Sequence, residues 1–96
     1  MLVGKVTGNI VATQKTDTLD GFKLLLIEET DINGTGKGKF IVAVDTVGAG
    51  HDELVLYATG SSARLTPQTQ NKPVDAVICG IVDSIEHNGK ETFKKN

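Results

Sequence analysis

Leu2-Val3-Gly4-Lys5-Val6-Thr7-Gly8-Asn9-Ile10-Val11-Ala12 opens the chain, and its reading decides the fold. Leu2, Val6, Ile10 and Ala12 fall on one face at the two-residue period of a strand, with Gly4 and Gly8 between them, while Lys5, Thr7 and Asn9 take the other. Glycine on an inward face marks a strand that bends sharply, which predicts the wall of a small barrel.

Four more apolar runs follow: 22–27 behind an Asp20-Gly21 turn signal, then 40–44, 54–58 and 76–85. None has a helical period. Asp31-Ile32-Asn33-Gly34-Thr35-Gly36-Lys37-Gly38-Lys39 is dense in turn formers and reads as a flexible hairpin tip. In the segment 60–74 a serine of Ser61-Ser62-Ala63-Arg64-Leu65 caps one short helix before Pro67 and Pro73 interrupt it. The expected fold is all-β: a small five-stranded Greek-key barrel of the OB type, with one short helix between the fourth and fifth strands. Residues 1–96 form one domain, with 88–96 as a C-terminal tail.

Composition narrows the function. The 96 residues are 39% hydrophobic and 23% charged, with a formal net charge of -2 and no tryptophan. Phe22 and Phe40 begin strands and are read as core, Tyr57 sits in the fourth run and Phe93 in the tail, so the core is mainly aliphatic. The acidic balance, with a pI near 5.6, argues against a general nucleic-acid binder, which needs a basic patch to displace counterions. Cys79 alone cannot form an internal disulfide or a cysteine-based zinc site; within an apolar run it reads as a small buried hydrophobe in a reducing cytoplasm. The sequence carries no signal-peptide pattern and no apolar stretch of membrane-spanning length.

Two runs break the strand alternation. Ala76, Ile78 and Val82 share one face while Val77, Cys79, Ile81 and Ile85 share the other, and Leu24-Leu25-Leu26-Ile27 is likewise apolar on both sides. A small barrel has one interior, so such strands need a second burial site. Leaving three or four aliphatic side chains in water forgoes several kcal/mol at ~25 cal/mol per Å². Either the short helix and loops cover that second face, or another subunit does.

Chemistry-bearing clusters are sparse. His51-Asp52-Glu53 has ligand-type residues, but neighbours in a strand point to opposite faces and do not converge on one ion. Gly34, Gly36 and Gly38 with Lys37 and Lys39 lack the Walker spacing and the following helix of a phosphate loop. Asp45, Asp75 and Asp83 stand at strand ends or within runs, where aspartates bond turn amides. The sequence therefore predicts no catalytic residue, no cofactor and no metal site. The alternative for an OB barrel is a binding module for single-stranded nucleic acid or a small ligand, which needs aromatic platforms and a basic groove that this chain lacks in quantity.

Ala12-Thr13-Gln14-Lys15, Leu19-Asp20-Gly21-Phe22-Lys23-Leu24-Leu25-Leu26, Ala43-Val44-Asp45-Thr46-Val47-Gly48-Ala49-Gly50, Gly60-Ser61-Ser62-Ala63-Arg64 and Asp75-Ala76-Val77-Ile78-Cys79-Gly80-Ile81-Val82-Asp83 occur in that order and span nearly the whole chain. Together they resemble the EutN/CcmL family of bacterial microcompartment vertex proteins. The resemblance implies an OB-like barrel assembling into a five-membered ring at the vertices of a cytoplasmic protein shell. Its partners would be copies of itself and hexameric shell proteins, with neither nucleic acid nor membrane. With the ring that this implies, the candidate subunit-contact or pore-proximal residues are Gly48, Ala49, Gly50, Gly60, Ser61, Ser62 and Arg64, joined by Ile81 from the second apolar face that strand alternation marks and by Phe93 in a tail that either extends along a neighbour or frays. Where the family string continues with a small residue, this chain has His51.

Overall fold

The computed structural model describes residues 1–13, 19, 21–72 and 74–96. Its strands are β1 (Leu2–Ile10), β2 (Lys23–Thr30), β3 (Gly36–Asp45), β4 (Leu54–Thr59), β5 (Ala76–Ile81), β6 (Ser84–His87) and β7 (Lys90–Lys94), and a 3-10 turn at Gly60–Arg64 follows β4. The first five close a barrel in the order β1-β2-β3-β5-β4, while β6 and β7 pair only with each other. Closure depends on β5 entering between β3 and β4. It runs antiparallel to β4 over 76–81 but meets β3 in a parallel pairing of only Val44 with Val77 and Asp45 with Ile78. This is the OB-type barrel that the apolar runs predict.

The glycine reading of β1 holds at one position and fails at the other. Gly4 is buried, and a side-chain carbon there would lie 2.5 Å from Ile27 Cγ2 and 2.8 Å from Tyr57 Cε1, so the barrel closes on bare backbone. Beyond Val6 the register with β2 shifts, and the alternation changes phase. Gly8 then has open space where its side chain would be, and Ile10 is 37% exposed instead of joining Val6 inside. Leu2, at the strand's start, is 38% exposed.

The apolar residues form two cores. Val6, Leu25, Ile27, Ala43, Val55, Tyr57, Ala76 and Ile78 fill the barrel, with Ala49 completing the same cluster. Outside the wall, Val44, Ala58, Ala63, Val74 and Val77 form a second cluster against which Leu19, Phe22 and Leu24 pack. The 3-10 turn and the segment leading into β5 thus cover part of the face that strand alternation leaves apolar. Cys79 falls at the register shift between β5 and β4, lies outside this cluster and is exposed, so the expectation of a buried thiol fails.

Other boundaries differ for stated reasons. Residues 36–39 are strand, not loop: Thr30 pairs with Gly36 and Glu28 with Phe40, and the Glu28 carboxylate accepts the Gly38 amide at 2.9 Å. The turn is confined to 31–35, where Asp31 Oδ1 accepts the amides of Asn33 and Thr35. Phe40, expected in the core, faces outward and is 57% exposed. The fifth apolar run is two strands, broken at Val82-Asp83. Much of the tail folds into the β6–β7 hairpin, whose Asn88 and Gly89 both have positive φ, as a tight two-residue hairpin turn requires. Thr59, with no side-chain cap bond, and not a serine, precedes the 3-10 turn. Gln14, Lys15, Asp20 and Pro73, singled out from the sequence, lie outside the described residues.

Candidate assembly surface

The loop after β3 is organised by Asp45. Its Oδ1 accepts the amides of Val47 (3.0 Å), Gly48 (3.1 Å) and Ala49 (3.2 Å), and its Oδ2 accepts Ala49 N at 3.0 Å. This meets the expectation that a strand-end aspartate bonds turn amides. Gly48 has φ +76°, a conformation costly for other residues. The arrangement drives Ala49 inward, leaving it 1% exposed, so its small side chain plugs its own barrel and only the backbone on either side is presented outward. The Gly50 amide is accepted by Glu53 Oε1, whose other oxygen meets Lys95 Nζ at 2.7 Å. Val6 donates to Glu53 O and Asp52 donates to Val6 O, which staples the loop to β1.

The turn after β4 is anchored differently. Ala63 is fully buried in the outer cluster, and its carbonyl accepts Thr69 Oγ1 at 2.6 Å. With that anchor fixed, Gly60, Ser61, Ser62, Arg64 and Leu65 are exposed, Leu65 at 81%. Ser62 Oγ donates to Thr59 O at 2.7 Å, and Arg64 has no ion-pair partner among the described residues.

β5 sets the relation between these two surfaces. Because β3 runs parallel to β5, the Asp45 loop leaves toward the C-terminal end of β5, where Thr46 Oγ1 donates to Ile78 O at 2.8 Å. Because β4 runs antiparallel, the 3-10 turn leaves toward the opposite end, where Gly60 N donates to Asp75 O at 2.9 Å. The two strings rich in small residues therefore belong to different faces of one barrel.

Ile81 does not lie on the second apolar face as strand alternation predicts: the register shift with β4 at Cys79 changes the phase of β5, so Ile81 is half-buried, pairs with Val55 and packs on the barrel core. Phe93 is half-buried opposite Ile85, and a side chain on Gly34 would touch its ring at 3.0 Å. Both are engaged within the chain. His51 Nδ1 lies 3.3 Å from Asp52 Oδ2, with both side chains largely exposed. Among the described residues no three His, Cys, Asp or Glu side chains gather as a metal site. No helix among them is long and apolar enough to cross a membrane. Phe40 and Val42, which sequence reasoning missed as surface groups, are exposed on β3; the alternation Phe40-Ile41-Val42-Ala43, with Ala43 inward, is the signal that exposes them.

Five strands closed in the order β1-β2-β3-β5-β4, with a short 3-10 turn between β4 and β5, define the class of small OB-type barrels. The chain belongs to the EutN/CcmL family: the family described as "Ethanolamine utilisation protein EutN/carboxysome" matches residues 1–83. It is 39% identical over 95 residues to the carboxysome shell vertex protein CcmL of Gloeobacter violaceus, covering 99% of this chain and 95% of that one. A solved structure of that CcmL matches with a TM-score of 0.94, covering 99% of this chain and 98% of the other at 39% identity. The bacterial microcompartment shell vertex protein EutN of Salmonella typhimurium is 42% identical over 95 residues, covering 99% of this chain and 96% of its own. The GrpN pentameric microcompartment shell protein from Rhodospirillum rubrum matches with a TM-score of 0.83 at 42% identity, covering 91% of this chain and 99% of that one.

Proposed function

We propose that this chain is a non-catalytic shell subunit that assembles into homopentamers, occupies the vertices of a cytoplasmic bacterial microcompartment and meets hexameric shell proteins at its outer edges. Full-length similarity to shell vertex proteins, together with likeness to a solved pentameric microcompartment shell protein, carries this reading. Geometry gives it a reason. Six-fold tiles alone make a flat sheet, and five-fold units let the sheet curve and close. A closed ring uses heterologous contacts, in which each copy offers two different complementary faces. The loop at Gly48 and Gly50 supplies one and the turn at Gly60, Ser61, Ser62 and Arg64 the other, while Ala49, Ile81 and Phe93 brace these surfaces from within their own subunit. Arg64, with a planar five-donor head and no ion-pair partner among the described residues, is placed to bond carbonyls or carboxylates of a neighbour.

Sedimentation or native mass measurement tests this, with an expected mass five times the chain's 10.2 kDa. A clean monomer at micromolar concentration would refute the ring. Arg64→Ala weakens association more than Lys37→Ala does, and equal effects on the dissociation constant would remove Arg64 from the contact. The single-stranded nucleic-acid alternative is disfavoured because Phe40 alone among the four aromatics is more than half exposed, whereas stacking readers use several.

A further inference from the structure

The second apolar face is only partly covered by the chain itself. On the outer surface of β2 and β3, Leu24 lies opposite Val44, and both belong to the cluster beneath the 3-10 turn. Further along the same ladder Leu26 lies opposite Val42 and Glu28 opposite Phe40. There the cover ends: Val42 is 40% exposed and Phe40 57%. Beside them Leu24, Val42, Val44, Val74 and Ala76 help line an open hollow of about 150 Å³. Among the described residues β3 pairs with β5 only at Val44 and Asp45, so residues 40–43 have no paired strand among them on the side away from β2.

We propose that Phe40 and Val42 are covered by a second copy of this chain and form the apolar centre of one of the two faces through which ring neighbours meet. This rests on the ring reading above and adds the residues that supply its hydrophobic contact. Three observations identify the occupant as another copy. β3 runs without interruption from Val42 through Val44 into the Asp45 loop, so the patch is continuous with the surface proposed above for the ring. Its rim carries both signs, which suits a self-complementary protein contact better than a polyanion: Lys37 Nζ meets Glu29 Oε2 at 3.3 Å, and the Glu28 carboxylate stands between Lys5 on β1 and Phe40 on β3 in the strand register. Its size also fits. A phenylalanine open to this extent exposes roughly 100 Å², a fair central share of the roughly 800 Å² per partner that a stable contact buries around an aromatic anchor.

Phe40→Glu tests the proposal by sedimentation velocity. Because the side chain is exposed in its own subunit, the variant keeps the parent's circular dichroism, while its dissociation constant for assembly rises at least about 30-fold, as expected for a central anchor. A second readout is independent of that variant. The thiol of Val42→Cys, in a Cys79→Ser background, reacts slowly with a bulky maleimide in the assembled protein and rapidly once dilution dissociates it. A parent protein that is monomeric throughout overturns the ring reading and this proposal with it. A parent ring with unchanged Phe40→Glu association and rapid labelling at Val42→Cys overturns the proposal alone. Unchanged ring mass with lost co-assembly with a hexameric shell protein also overturns it, and assigns the patch to that other protein.

Discussion

Gly4 and Gly8 occupy equivalent positions in the alternation of β1, yet the structure separates them sharply. At Gly4 an alanine methyl would lie 2.5 Å from Ile27 Cγ2, 2.8 Å from Tyr57 Cε1 and 2.9 Å from the Glu28 carbonyl oxygen. Ile27 is 0% exposed and Tyr57 2%, and the third atom is backbone, so no neighbour can swing into solvent. Overpacking of this kind costs about 1–3 kcal/mol, and the rigid surroundings place it near the upper end. Loss of unfolded-chain freedom on replacing glycine returns about 0.5–1 kcal/mol, leaving a net destabilisation of about 2 kcal/mol for Gly4→Ala. At Gly8 nothing lies within 4 Å of the added carbon, and Gly8→Ala keeps only the favourable contribution. Urea unfolding reads the difference directly. With a slope of about 1–3 kcal/mol per molar, the midpoint falls by about 1 M for Gly4→Ala and stays or rises slightly for Gly8→Ala. Both variants are compared at one protein concentration, because assembly adds to apparent stability. Equal midpoints for the two would refute the account of how the barrel closes.

Further perturbations test the loops. Asp45→Ala strips the acceptor from three amides and is expected to cost about 1–3 kcal/mol, with Asp45→Asn milder because one oxygen remains; equal losses in thermal melting would contradict the capping role. Thr69→Val leaves the Ala63 carbonyl without its 2.6 Å partner beneath the 3-10 turn and should cost about 1–3 kcal/mol by urea unfolding, and a neutral result would mean that bond is dispensable. The Lys95 ammonium and then the Gly50 amide hold the Glu53 carboxyl below its ordinary value of 4.5. Because this pKa is depressed in the folded state, the contribution of Glu53 is present above 4.5 and is lost as pH falls through the folded value. The melting temperature of Glu53→Gln therefore falls less than the parent's on acidification through this range, and high salt narrows the gap. Identical acid profiles would show that the Glu53–Lys95 pair does not hold the hairpin.

The barrel was legible because its walls are made by residues whose side chains announce them. Leu25 and Ile27, Val55 and Tyr57, and Ala76 and Ile78 keep the two-residue period and fill one core. The first part of β3 was hidden because Gly36, Lys37, Gly38 and Lys39 are all exposed, so nothing apolar marks it, and its strand character comes from main-chain pairing and the Glu28 carboxylate. The terminal hairpin was hidden in the same way, although Asn88-Gly89 between Ile85 and Phe93 is a strong two-residue turn signal. Phe40 was misjudged because an aromatic at a strand start is usually core, and only its phase relative to Ala43 reveals the outward direction. The small-residue strings pointed to surface turns, but that Ala49 points inward follows from the four Asp45 hydrogen bonds, a three-dimensional arrangement that spacing does not encode.

The register shift between Val6 and Gly8 divides β1 into halves with opposite phase. Val6 serves the interior, while Ile10 stands opposite Leu24, whose side chain belongs with the outer cluster. A single added residue thus turns the two halves of one strand to opposite sides of the barrel wall. Length is consequently information at this point of the chain, as it is not in a surface loop. Deleting Thr7 would only remove the bulge and leave Gly8, Asn9 and Ile10 opposite Leu26, Leu25 and Leu24, whereas adding one residue after Gly8 would turn Ile10 toward a barrel already filled and Asn9 toward the outer apolar surface. Insertions would be absorbed at the 31–35 turn but selected against beyond Gly8 in β1, so the spacing from Gly8 to Ile10 should be among the least variable intervals in working versions of this barrel.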